Sequence, residues 1–317
     1  RANITLIWTT PESISSEFKK LENGNVINSK KIKDEVEYFC SCVDSIKKYS
    51  DIILIPKWIL KQHNEGNLTQ SYLKDSGLEY NLSFMNQCLY EKLGKEKNFY
   101  ILNSSKWLTN CGSMKAYNSK LWYLMKNPFS NDFYKEAIFD LENLYSSIRG
   151  QNKKLLILDL DNTLWGGIVG DVGWKNLRLG GHDHLGEAFQ DFQTKIKSLS
   201  KNGLLLALAS KNDEKIAIEA IKKNPEMILS MNDFATHRIN WDDKAKNISE
   251  MVDDLNIGLQ SVVFFDDNPA ERDRVKKTLP EVFVPDLPKD PTDYFTFLSK
   301  LRCFDTTHIS AEDKVRG

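Results

Sequence analysis

The apolar run LLIL (Leu155 to Leu158) delivers two carboxylates, Asp159 and Asp161, within the stretch LLILDLDNTLWGG. Residues two apart on an extended chain point the same way, so both acids face one side of the strand's end. One can attack phosphorus while the other supplies and removes a proton. A phosphoryl group is itself negative, so a carboxylate nucleophile needs a cation to screen the repulsion, and the cation suited to such hard oxygen ligands is Mg²⁺. Thr163 stands where its hydroxyl can tie the loop together. Taken alone, Asp-x-Asp-x-Thr also fits an ordinary turn after a strand.

Three further pieces follow in order. Ser210 ends the apolar run LLLALAS, where its hydroxyl and the N–H groups of Lys211 and Asn212 can hold a phosphoryl oxygen. Lys244, in NWDDKAKN, opens a helix and can neutralise charge on nucleophile and phosphoryl group. VVFFDDNP adds Asp266 and Asp267 at the end of another apolar run. Adjacent acids repel unless a cation lies between them, so the expected metal set is Asp159, Asp161, Asp267 and Asp266. Trp165 and Trp241 are candidates for lining the pocket, with a core position as the alternative for each. His182 and His184 have ligand-like spacing, but a solvated loop fits them better because the acids already furnish a hard oxygen site.

These groups need a frame. From Lys153 onward, LLIL, LLLALA (Leu204 to Ala209) and VVFF (Val262 to Phe265) read as buried parallel strands. Helical stretches separate them: Leu185 to Leu199, Asp213 to Ile221 with Asn212 or Asp213 as N-cap, and Lys244 to Leu255. Right-handed crossovers turn that order into a doubly wound sheet, whose ligands bind at the carboxyl ends of the strands. Upstream, ITLIW (Ile4 to Trp8), DIILIP (Asp51 to Pro56) and NFYIL (Asn98 to Leu102) suggest a second, smaller α/β domain. Pro128 to Arg149 reads as helix and RGQNKK (Arg149 to Lys154) as a junction, which divides the chain into residues 1–150 and 151–317. Neither Leu164 to Gly180 nor Asn212 to Asn240 has room for a large cap. Gly166, Gly167, Gly170 and Gly173 permit either a tight flap over the site or a plain hairpin loop.

Composition narrows the partners. The 43 basic and 44 acidic residues nearly cancel, so no global field attracts nucleic acid or an anionic membrane. No apolar run reaches membrane-spanning length. The five cysteines, Cys40, Cys42, Cys88, Cys111 and Cys303, are scattered without zinc or disulfide spacing, which fits a reducing cytoplasm. A start at Arg1 and the charged, helix-like ending SAEDKVRG read as an excised portion of a longer polypeptide.

Acid pair, hydroxyl, lysine and second acid pair, in that order, resemble the haloacid dehalogenase (HAD) superfamily. The resemblance implies nucleophile Asp159, acid/base Asp161, phosphate-binding Ser210, charge-neutralising Lys244 and metal-binding Asp267, with Asp266 ligating or supporting a ligand. DLDNTLWGGIVGDVG, SKN and FFDDNPAERDRVKKTLPEVFVPDLP are similar to the FkbH-like subfamily from about Asn152 to the chain end. Members of that subfamily convert bisphosphoglycerate into a glyceryl unit on a carrier protein for polyketide-type assembly. Their upstream domain is similar to SGNH hydrolases. Here that domain shows neither a Gly-Asp-Ser block nor an Asp-x-x-His pair, so it reads as degenerate.

The implied function is a Mg²⁺-dependent glyceryl transferase/phosphatase acting on a phosphorylated three-carbon substrate and an acyl carrier protein with its phosphopantetheine arm. A plain phosphatase of a small metabolite and an inactive docking module are the alternatives. No cysteine lies beside the acids, where Leu160 and Val169 occupy the positions expected of a thiol acceptor. Cys111 is a remote candidate for that role.

Overall fold

The computed structural model describes residues 2–61, 68–181 and 183–304, so His182 and the ending SAEDKVRG lie outside the described residues. The chain divides into two compact units, Arg1–Phe139 and Asp140–Gly317. The division falls inside the helix Asn131–Ile148, ahead of the junction expected from the sequence.

In the first unit, β1 (Ala2–Leu6), β2 (Ser50–Pro56) and β3 (Phe99–Leu102) form a parallel sheet in the order β1-β2-β3. Helices Ser29–Ser45 and Leu78–Leu93 send Ile32, Val36, Met85 and Leu89 into one core with Phe18, Ile53 and Ile55.

In the second unit, β4 (Leu155–Leu158), β5 (Leu205–Ser210), β6 (Thr236–Ile239) and β7 (Val262–Phe265) make a parallel sheet in the order β6-β5-β4-β7. The strand alternation sorts its side chains onto two faces. Leu156, Leu158, Leu206, Leu208, Val263 and Phe265 pack with Phe189, Phe192 and Ile196 of helix His184–Ser200. Leu155, Ile157, Ala207, Ala209, Val262 and Phe264 pack with Ala245, Ile248 and Met251 of helix Lys244–Asp254. Both faces are therefore covered, which explains why these strands read as unbroken apolar runs.

The register sets the site. Leu158, the last residue of β4, pairs with Leu208 of β5 and with Phe265 of β7. Three strand ends thus open at one level, with β4 in the middle. β6 is one of the two edge strands, opposite β7, and its only buried residue is Ile239. Helix Glu214–Lys223 and β6 fill the stretch between β5 and Asn240, and Gly166 and Arg178 form an antiparallel bridge that closes the glycine-rich stretch into a short hairpin. No inserted cap domain occurs among the described residues.

Candidate functional site

β4 ends by holding Asp159 against β7: the Asp159 N–H donates to the Phe265 carbonyl at 2.9 Å. The chain then turns tightly, with the N–H groups of Thr163 and Leu164 both donating to the Leu160 carbonyl. Asn162 adopts a left-handed conformation (φ 55°), which asparagine tolerates better than most residues. Its Oδ1 accepts from Gly167 N at 2.9 Å, and its carbonyl accepts from the Tyr294 hydroxyl at 3.2 Å. Thr163, fully buried, accepts at Oγ1 from the Asp267 N–H at 3.1 Å, which ties the β4 loop to the β7 loop.

Carboxylate oxygens of Asp159, Asp266 and Asp267 lie within 4.8 Å of one another. Lys244, itself buried at the first turn of its helix, places Nζ 2.6 Å from Asp266 Oδ2 and 2.9 Å from Asp159 Oδ1. The first contact is a hydrogen bond. The second has ion-pair distance without hydrogen-bond geometry, so the buried Asp159 Oδ1 is left without a hydrogen-bonding partner. One lysine thus faces three acids. Burial, followed by the Asp159 charge, pushes the Asp266 carboxyl up to about 6, and the same two causes push Asp267 up to about 6. Burial works against the Lys244 ammonium, but the charges of Asp159 and Asp266 outweigh it and raise its pKa. An orphaned carboxylate oxygen within a set of hard, mutually repelling acids fits a small divalent cation.

Asp161 is held apart from this triad. Its Oδ1 accepts from the Trp165 indole Nε1 at 2.8 Å and from Val169 N at 3.0 Å, and its Oδ2 accepts from Asn212 Nδ2 at 2.9 Å. Among the described residues the acid cluster consists of Asp159, Asp266 and Asp267, and Asp161 stands outside it with donors on both carboxylate oxygens. Those donors hold the Asp161 carboxylate beside the strand end.

Ser210 is buried at the end of β5, and its hydroxyl accepts from Asn212 Nδ2 at 3.2 Å. Asn212 thus links the serine to Asp161. Lys211 turns aside into a 2.6 Å ion pair with Glu271. Trp165 is fully buried, so its core alternative holds, and its indole N–H serves Asp161. Trp241 is 74% exposed and makes no hydrogen bond or ring contact among the described residues. His184 starts the helix His184–Ser200 and belongs to no acid or metal cluster among the described residues.

Two supports went unread in the sequence. Arg272 Nη1 donates to the main-chain carbonyls of Asp266 and Asp267, both at 2.8 Å, and fixes the loop that bears the second acid pair. Tyr294 packs edge-on to Phe189 and Phe192 and steadies the Asn162 turn. Burial, followed by the nearby Asp267 charge, pushes its phenol up to about 12, so it remains a hydrogen-bond donor at neutral pH.

Neither a protein-family model nor a curated protein matches this chain. Among solved structures, it is similar to the N-terminal part of BF1531 from Bacteroides fragilis, which contains a phosphatase domain and is complexed with Mg. That match has 31% identity and a TM-score of 0.81, and it covers 96% of this chain and 80% of the other. A HAD-family enzyme of Bacteroides thetaiotaomicron, BT-2542, a magnesium complex, matches over 47% of this chain and 100% of its own at 14% identity. Its TM-score is 0.33.

Proposed function

This chain belongs to the HAD superfamily as a magnesium-dependent phosphatase domain, and on that premise we propose that it dephosphorylates a bisphosphoglycerate-derived three-carbon unit and loads it on an acyl carrier protein. The observation that carries the phosphotransfer chemistry is the Asp159, Asp266 and Asp267 cluster, with Lys244 against it and Asp161 held separately by three donors. A bound magnesium ion screens the repulsion between the phosphoryl oxygens and the attacking carboxylate.

The residues divide the work. An Asp159 oxygen attacks phosphorus, the P–O bond to the substrate breaks, and Asp161 gives its proton to the leaving oxygen. Asp161 then takes a proton from water, which attacks the aspartyl phosphate, releases inorganic phosphate and restores Asp159. Ser210 and the N–H groups after it hold phosphoryl oxygens, and Lys244 balances their charge. Thioester formation needs no residue of this cluster, because an acyl phosphate is already activated. The carrier thiolate attacks the acyl carbon, the acyl C–O bond to the phosphate breaks, the acyl group stays on sulfur and inorganic phosphate leaves.

Two observations support the transfer reading over hydrolysis of a free metabolite: the similarity to FkbH-like sequences, and the absence of an inserted cap among the described residues. A macromolecule-borne group can enter an uncapped site. The test is incubation of the protein and Mg²⁺ with bisphosphoglycerate and a holo carrier protein, read by intact mass. A gain of one dephosphorylated glyceryl group on the carrier is expected. Phosphate release with an unmodified carrier reduces the reading to a plain phosphatase.

Trp165 offers a sharper test of how Asp161 is held. Trp165→Phe keeps an aromatic ring in the core, removes the N–H that reaches Asp161 Oδ1 and leaves a small gap where the second ring stood. We expect kcat for p-nitrophenyl phosphate to fall about tenfold with KM little changed, since one of three donors to the proton-transfer group is lost. An unchanged kcat would leave the indole N–H a purely structural donor.

A further inference from the structure

The segment from Lys97 to Asn131 carries Lys97, Lys106, Lys115, Lys120 and Lys126 and not one acidic residue. This is a local excess in a chain whose charges otherwise nearly cancel. The same segment displays apolar side chains to solvent: Met114 is 82% exposed, Tyr123 77%, Leu124 68% and Met125 63%. Helical spacing over Ser119–Met125 puts Lys120, Tyr123 and Leu124 on one face. Lys115 and Lys120 are exposed and make no ion pair among the described residues, and Lys126 reaches only over the ring of Trp122. Internal packing explains none of these side chains. The core beneath them is completed by Trp107, Ala116, Phe129 and Phe133.

Contiguous exposed apolar side chains rimmed by one sign of charge mark an interaction surface. From this placement we infer that the surface built by residues 114–126 docks an acyl carrier protein, through an acidic helix with an apolar strip. The inference rests on the carrier-loading reading above and assigns the first unit a task within it. Charge complementarity selects the occupant: Lys115 and Lys120, which make no ion pair among the described residues, attract an acidic partner and speed its encounter, and Tyr123, Leu124 and Met125 bury against its apolar strip. Docking here tethers the carrier to the polypeptide that bears the Asp159 site.

The test uses the whole chain with one purified acidic bacterial holo carrier protein. Three readouts are compared: carrier loading by intact mass, KM for the carrier, and p-nitrophenyl phosphate turnover. Lys115→Glu with Lys120→Glu is expected to raise KM for the carrier by about tenfold or more and to leave p-nitrophenyl phosphate turnover unchanged. Tyr123→Ser with Leu124→Ser is expected to do the same without altering charge. In the wild type, KM should rise with salt, and the lysine variant should lose most of that dependence.

If the wild type loads the carrier and both variants keep its KM, docking at this surface is overturned while carrier loading stands. If the wild type hydrolyses p-nitrophenyl phosphate but never modifies the carrier, the loading reading falls and this occupant falls with it. Binding of the wild type to phosphatidylglycerol vesicles, lost in the lysine variant while KM for the carrier is unmoved, would assign the patch to a lipid surface instead.

Discussion

Replacing Asp159 with asparagine is expected to cut phosphate release from p-nitrophenyl phosphate by roughly 10⁴-fold or more, because the amide has no charged oxygen with which to attack phosphorus. The same substitution should leave the metal-free protein as stable as the wild type, or more stable by about 1 kcal/mol. Asp159 is one of three acids facing one lysine, and its charge is a named cause of the raised Asp266 and Asp267 carboxyls. Removing that charge leaves Lys244 with its 2.6 Å partner Asp266. Activity by p-nitrophenol release and thermal unfolding of the metal-free form read the two effects separately. A variant that lost activity and stability together would locate the contribution of Asp159 in folding instead. A variant that retained appreciable activity would remove Asp159 from the chemistry altogether.

How much of this site could be read from the sequence depended on the physical signal each part leaves. β4, β5 and β7 are buried on both faces, so each appears as a short unbroken apolar run ending in polar residues, and the groups at their ends could be named in advance. β6 leaves almost no such trace, because an edge strand that buries only Ile239 is written Thr-His-Arg-Ile. The positions of Asp159 and Asp161 followed from alternation, but the division of labour between them did not. Their surroundings diverge through the left-handed turn at Asn162 and through donors at Trp165, Val169 and Asn212, none of which spacing reveals.

Side chains whose partners are main-chain atoms were the least legible. In the stretch AERDRVKK, Arg272 looks like any solvated helical arginine, yet it is the brace beneath Asp266 and Asp267. Tyr294 meets the Asn162 carbonyl across 132 residues of chain, beyond any local pattern. Lys211 divides in two: its ammonium pairs with Glu271, 60 residues on, a partner no local pattern reveals, while the group the sequence points to beside Ser210 is its main-chain N–H.

The metal-free protein is expected to lose stability as pH rises from about 4 to about 6, the reverse of the usual behaviour of carboxylates. Asp266 and Asp267 have an ordinary value of 3.8 and stand at about 6 in the folded chain. Below the ordinary value both states hold the protons, and the folded form keeps its full advantage. Between the two values the unfolded chain releases protons that the folded chain retains, so unfolding becomes easier as the pH rises. Above about 6 both states are ionised and the loss is complete. Carboxylates held low by their donors, such as Asp243 beside Arg274 and Asp233 capped by Ser230, act in the opposite direction, and only below their ordinary value of 3.8. Glu17 and Glu35, held below their ordinary value of 4.5 by their donors, overlap only the start of the range, so above about pH 5 the effect of Asp266 and Asp267 stands alone among these carboxylates. Magnesium should reverse the loss, since it binds the ionised acids and adds stability in proportion to the logarithm of its concentration over Kd. Thermal unfolding at pH 5 and pH 7.5, with EDTA and with millimolar Mg²⁺, should show an increase in Tm at pH 7.5 that shrinks sharply at pH 5. Asp267→Asn should flatten both the pH dependence and the Mg²⁺ response. Equal Mg²⁺ responses at the two pH values, or a variant that responds like the wild type, would mean that Asp267 is not where the cation binds.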